Sequence, residues 1–216
     1  MRLVRLAWLF IVLFFVTWGW ILWKAPKSRA DDYPQPPADL EDIVKKQFGP
    51  CFSVARERSA MKVNYLHPQD NGLPWITFLT ADLDGDGVED AIIVARCRTP
   101  LMDQGSHNYH VVDPYYSNYG YGNPRVTAQF GTTDPTRQNL VLVIHGAGKE
   151  AWRAAVPKAK FVFINLPFDT ISITQVTFKK RSTAAINLTE EEEQMSSVVF
   201  WDPKTRRYQW SDSAGQ

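Results

Sequence analysis

The chain has 216 residues, 44% of them hydrophobic, with 24 basic and 23 acidic side chains and a formal net charge of +1. That length suggests one domain with an appendage, and the apolar fraction is enough for a real core. A nucleic-acid binder shows a basic excess or a basic stripe; this sequence has neither, and its one basic cluster, Lys179-Lys180-Arg181, is followed by an acidic run at Glu190 to Glu193, which reads as a solvated hairpin with complementary charges.

Residues 1–5 form a short tail, and Leu6 to Trp23 (LAWLFIVLFFVTWGWILW) is an 18-residue run without a charge. At ~1.5 Å per residue it reaches about 27 Å, close to the ~30 Å hydrocarbon core of a bilayer. Trp18, Trp20 and Trp23 cluster at one end, as an interfacial aromatic belt does. A cleaved signal peptide would use Ser28-Arg29-Ala30. However, the run is longer than the usual signal-peptide core, and three cations separate it from Ala30. A single transmembrane signal-anchor over 6–23 is therefore expected. No cysteine lies nearby to take a lipid. Basic residues flank both ends, so the flanking charge leaves the orientation open.

Residues 24–38 read as a linker. Its end, Asp31 to Ala38, holds three prolines in eight residues and is stiff and extended by composition. From 39 to 216 the chain reads as one β-rich domain. Asp39 is placed to cap a helix in which Leu40, Ile43, Val44 and Phe48 share a face, and Gly49-Pro50 stops it. The periodicity then turns to β. Expected strands are 51–56, 62–66, 75–81, 91–97, 109–112, 126–130, 140–145, 160–166, 171–179, 183–187, 197–201 and 208–211. Asp202-Pro203-Lys204-Thr205 is a turn between the last two. Thr189 with Glu192 has capping-box spacing. The fold class is α+β: predominantly antiparallel β with one amphipathic N-terminal helix, preceded by a single transmembrane helix.

Cys51 and Cys97 are the two cysteines, and neither belongs to a C-x-x-C pattern, so a zinc or thioredoxin-like site is not indicated. Outside the cytoplasm they can form a disulfide; two buried thiols account for the same residues.

The chemistry-bearing stretch is Asp82-Leu83-Asp84-Gly85-Asp86-Gly87-Val88-Glu89-Asp90. Alternating aspartates in a tight turn aim several oxygens at one centre, as a hard cation with 6–8 oxygen ligands requires. Gly85 and Gly87 permit the backbone angles of such a turn, and Val88 offers a carbonyl. Unfilled, the carboxylates repel one another. The spacing starts like an EF-hand, but position 12 is Ile93 and the flanks read as strands. A strand–loop–strand calcium site is expected.

ITFLTADLDGDGVEDAIIVA, residues 76–95, resembles the FG-GAP motif of integrin-type propellers and the related VCBS repeats. The resemblance implies Ca2+ held by Asp82, Asp84, Asp86, the Val88 carbonyl and Asp90. It covers about 20 residues in one copy, too few for a complete propeller, so only the local site transfers. Extracellular modules use weak calcium sites, and the loop accordingly places the domain on the exoplasmic or periplasmic side of the membrane.

Three further features carry less. Leu140 to Gly148 (LVLVIHGAG) looks like the strand and oxyanion loop of α/β-hydrolases, but there is no G-x-S-x-G and no histidine after His145. His107 and His110 would face opposite sides of a strand. Asp113 to Pro124 packs four tyrosines among Gly, Pro and Asn, a composition suited to recognition of protein or glycan. The sequence therefore points to a non-enzymatic, calcium-stabilised interaction module on a membrane anchor. The alternatives are an accessory subunit of a larger membrane complex and, last, a hydrolase around His145.

Overall fold

A computed structural model describes residues 35–57, 75–118, 139–190 and 196–212. The anchor at 6–23, most of the linker, the expected strands at 62–66 and 126–130, and the Tyr-rich segment beyond Asn118 lie outside these residues. Among the described residues no helix is long and apolar enough to cross a membrane.

The described part is mostly β with few helices, an α+β arrangement. Helix α1, Leu40–Phe48, buries Leu40, Val44 and Phe48, the face marked by its apolar spacing. Asp39 stands at the N-cap but its side chain makes no capping bond. Gly49, at φ 106°, ends the helix, in the left-handed region that favours glycine. Glu41 pairs with Lys45 on the surface, while its other carboxylate oxygen accepts the Val54 N–H at 2.9 Å.

The strands are β1 (Ser53–Val54), β2 (Phe78–Ala81), β3 (Asp90–Arg96), β4 (His110–Val112), β5 (Asn139–His145), β6 (Ala159–Phe163), β7 (Thr170–Phe178), β8 (Arg181–Thr189), β9 (Ser196–Asp202) and β10 (Arg207–Asp212). Six make one sheet, in the order β1-β3-β5-β6-β4, with β2 sharing the β1 edge of β3; the other four form a meander, β10-β9-β8-β7. All pairs are antiparallel except β4 with β6, which run parallel.

Alternation along β3 and β5 explains the layering. Ala91, Ile93, Ala95, Leu140, Leu142 and Ile144 face α1. Ile92, Val94, Val141 and Val143 face the second sheet, against Ile186, Leu188, Val199 and Tyr208. Successive side chains on a strand point to opposite faces, so an unbroken apolar run suits a strand covered on both sides. Each Val, Leu or Ile among them contributes about 1.5–3 kcal/mol when fully buried.

The sequence overlooks two short helices, α2 (Gln104–His107) and α3 (Pro114–Asn118), and the 3₁₀ segment Gly148–Arg153. β6 ends at Phe163 rather than 166, because Asn165 turns the chain at φ 62°. Thr189 is the last residue of β8; Glu192, its expected capping partner, lies outside the described residues. Lys179 and Lys180, both at positive φ, form the two-residue turn between β7 and β8, a geometry that matches strand twist. Lys179 pairs with Asp202 at 3.1 Å.

Cys51 and Cys97 are joined, their Cα atoms 5.2 Å apart, tying the segment after α1 to the end of β3. Replacing both by serine is expected to lower stability by about 2–4 kcal/mol, read as a fall in the denaturant midpoint; an unchanged midpoint would show the crosslink to be idle.

Candidate metal centre

The expected strand–loop–strand is present. β2 and β3 pair from Phe78↔Ile93 to Ala81↔Asp90, and residues 82–89 close the hairpin. Gly85 and Gly87 take φ of 75° and 82°, and the loop amides fold back onto its own carboxylates. Asp82 Oδ1 accepts the Gly85 N–H at 2.8 Å and the Asp86 N–H at 3.2 Å. Its Oδ2 accepts the Gly87 N–H at 2.9 Å. The Asp86 N–H also lies 3.2 Å from Asp84 Oδ1, and Val88 N–H donates to Asp86 Oδ1 at 2.8 Å.

This folding draws Asp82, Asp84 and Asp86 together, with one oxygen of each within 4.8 Å of the others. Three oxygen-only donors at that separation fit a hard divalent cation such as calcium. Lys158, just before β6, holds one side of the cluster: its ammonium donates to Asp84 Oδ2 at 2.6 Å and to Asp86 Oδ2 at 2.8 Å. These bonds raise the Lys158 pKa, and the bond from Lys158 is the main cause lowering that of Asp86. The Lys158 side chain is 49% exposed, so it has room to swing away.

Asp90 is turned elsewhere. Its carboxylate is buried, and accepts the Leu83 N–H at 2.9 Å and the Gly146 N–H at 2.8 Å. Desolvation pushes its pKa up to about 6 against the pull of those two bonds. It is not part of the group formed by Asp82, Asp84 and Asp86. Val88 sits beside Gly146, where an added Cβ would come 2.8 Å from Val88 Cγ1 and would collide with the Glu89 carbonyl oxygen.

His145, the last residue of β5, lies directly beneath the loop and is 1% exposed. Its Nδ1 is 3.4 Å from Asp84 Oδ2, and its Nε2 is 2.6 Å from the Tyr208 hydroxyl. The carboxylate can only accept, so the proton belongs on Nδ1 and Nε2 accepts from Tyr208. Burial lowers the His145 pKa to about 4, chiefly through desolvation, which keeps the ring neutral. Phe161, Trp201 and Tyr208 surround it, with ring centroids 4.9–5.7 Å away. Nε2 is thus bonded to a buried phenol, while Nδ1 lies 3.4 Å from the Asp84 carboxylate. Trp152, from the 3₁₀ segment, adds a bond from Nε1 to Glu89 Oε2 at 3.1 Å.

His107 and His110 are not brought to one point: His107 ends α2, and the His110 ring leans on Phe161. Lys158 and Tyr208 are the members that sequence reasoning did not find. Lys158 stands 74 residues from Asp84, and Tyr208 63 residues from His145; no local spacing marks either one. The chain matches no family model, no curated protein and no solved structure.

Two substitutions probe this geometry. Tyr208→Phe leaves His145 Nε2 buried without its donor and is expected to cost about 1–3 kcal/mol in chemical denaturation. Gly146→Ala drives a methyl into the Glu89 carbonyl and is expected to cost at least about 1–3 kcal/mol, as overpacking does; a wild-type melting curve for Gly146→Ala would show that the loop does not press on β5.

Proposed function

We propose that this protein is a non-enzymatic, calcium-stabilised interaction module, carried outside the cytoplasm on a single N-terminal membrane span. The observation that carries the reading is the convergence of Asp82, Asp84 and Asp86 on one point at the head of the β2–β3 hairpin. Val88 and Asp90 complete the ligand set that the FG-GAP resemblance implies: Val88 through its carbonyl, and Asp90 on turning one oxygen back from the Leu83 and Gly146 amides. Lys158 stands in as a tethered counter-charge and gives way when calcium arrives. Repulsion among unneutralised carboxylates is the reason the loop takes a cation of one kind or the other.

Two further observations support the location and the absence of catalysis. The Cys51–Cys97 crosslink suits an oxidising compartment, independently of the argument from calcium. His145, the centre of the hydrolase alternative, is buried, with Nε2 bonded to Tyr208 and Nδ1 beside Asp84; this supports a structural role. Service as an accessory subunit of a larger membrane complex is compatible with the same module, and the Tyr-rich segment is its candidate contact for protein or glycan.

Thermal melting of the full chain in detergent tests the calcium reading. Calcium is expected to raise Tm over chelator, and Asp84→Asn with Asp86→Asn to abolish the difference. Lys158→Gln, which removes the resident ammonium, is expected to enlarge it. Equal melting with calcium and chelator in both wild type and Lys158→Gln would sink the proposal.

A further inference from the structure

The two turns at one end of the four-stranded meander are both built of cations. The β7–β8 turn is Lys179-Lys180, followed by Arg181; the β9–β10 turn holds Lys204 and Arg206, followed by Arg207. β8 pairs antiparallel with both β7 and β9, which sets the two turns side by side. Asp202 latches them together. One of its carboxylate oxygens accepts the Lys179 ammonium at 3.1 Å, and the other accepts the Lys204 N–H at 3.0 Å. Asp202 is the only acid in either turn, and it is buried. All six cations are exposed. Among the described residues, Lys180, Arg181, Lys204, Arg206 and Arg207 have no ionic partner. Glu190, the first of the acidic run, follows the far end of β8, roughly 30 Å along the strand from Arg181 at ~3.3 Å per residue.

The chain as a whole carries a formal charge of only +1, so composition does not account for this concentration. Nor does the backbone favour it. Of the six described non-glycine residues at positive φ, three are Lys179, Lys180 and Arg206. A two-residue turn with both φ positive is usually Asn-Gly, which sits there without strain. The side chains of Lys180 and Arg206 recover nothing inside the fold, and strain kept at such positions points to use. The kind of partner follows from the residues around the cations. Single-stranded nucleic acid is held by cations interleaved with stacking rings. Neither turn contains an aromatic residue, and the neighbouring Phe178 ring lies against Phe200. Flexible cations spread over two hairpin tips match a flat field of phosphates. Tyr208, next after the second turn, reaches His145 beneath the acidic loop, where Lys158 already covers Asp84 and Asp86.

We propose that this end of the meander docks on the bilayer that holds the chain's own anchor, with Lys180, Arg181, Lys204, Arg206 and Arg207 set against the phosphates of anionic phospholipids. Anionic headgroups attract basic segments within a Debye length of the surface. The linker at 24–38 spans at most about 50 Å, so the domain stays close to that surface. The attraction is then intramolecular and acts at high effective concentration, where individually weak contacts suffice. Docking of this kind depends on the single membrane span proposed above, and not on calcium.

Fluorescence quenching of the full chain in lipid nanodiscs, with chelator present, tests the docking. The two native cysteines are joined to each other, so Ser182→Cys, exposed beside the first turn, supplies the sole free thiol for a fluorophore. The discs carry a nitroxide on their headgroups that quenches on contact. The label is expected to lose most of its emission in discs containing phosphatidylglycerol and to keep it in pure phosphatidylcholine. Salt at about 1 M, which cuts the screening length to ~3 Å, should restore it. A label on Asp212→Cys, at the far end of β10, should stay bright in both lipids. Lys180→Glu with Arg207→Glu should abolish the quenching and leave the melt unchanged. Equal emission from position 182 in the two lipids, quenching that survives salt or the double variant, or equal quenching from position 212 would each overturn the docking and leave the span standing. A chain that enters neither disc overturns the span and the docking together. Equal emission in both lipids, with capture of duplex DNA by the chain in detergent, would assign the cations to nucleic acid instead.

Discussion

Asp90 holds the acidic hairpin to the body of the protein. Its carboxylate sits out of solvent and accepts one amide from the loop, Leu83, and one from the exit of β5, Gly146. Charge-assisted bonds of this kind are stronger than neutral ones, and with a pKa near 6 the group is mostly ionised at neutral pH. Asp90 is also the first residue of β3, the strand that pairs with β1, β2 and β5. The loop, the central strand and the end of β5 are therefore fixed at one point. Gly146 makes this possible because a side chain there would collide with Glu89 and Val88.

From that point the loop is continuous with the interior. Asp84 approaches His145, and His145 meets Tyr208, which belongs to the second sheet and packs edge-on against Phe161, Phe163 and Trp201. Neutral His145 suits this place: a desolvated imidazolium among aromatic rings would be costly, whereas a neutral ring can donate from one nitrogen and accept at the other. A disturbance of Asp84 thus bears on the contact between the two sheets, and the acidic loop is more than a surface turn.

Much of this was legible in sequence where the signal is local. The apolar spacing of Leu40, Val44 and Phe48 marks the helix, and the β-branched runs around Ile92, Val143 and Ile173 mark strands found within a residue or two of their expected bounds. The Asp-Gly alternation marks the hairpin loop. What distance decides was not legible. The parallel pairing of β4 with β6, the bridge from Lys158 and the hydroxyl of Tyr208 depend on segments brought together only by the packed sheets. The α2 and α3 helices, four and five residues long, are too short to show a period. Asp90 is the instructive case. Its spacing in the loop matches that of a ligand, and here its oxygens rest on two amides; no pattern of residue types tells an aspartate held at a loop centre from one held against a core.

Lys158 alters what calcium would do on the proposed reading. With an ammonium already on Asp84 and Asp86, the metal-free loop is not a set of bare repelling carboxylates. Calcium then replaces one cation by another, and its contribution to stability is the difference between two occupants. The lysine, half exposed, regains side-chain freedom and hydration on leaving, which further narrows its disadvantage. On that reading the exchange lowers calcium affinity, and a low-affinity site would fill where calcium is abundant, outside the cell. The same compartment permits the Cys51–Cys97 bond. The proposed location thus has two separate grounds, the observed disulfide through redox chemistry and the proposed calcium site through competition for two carboxylates.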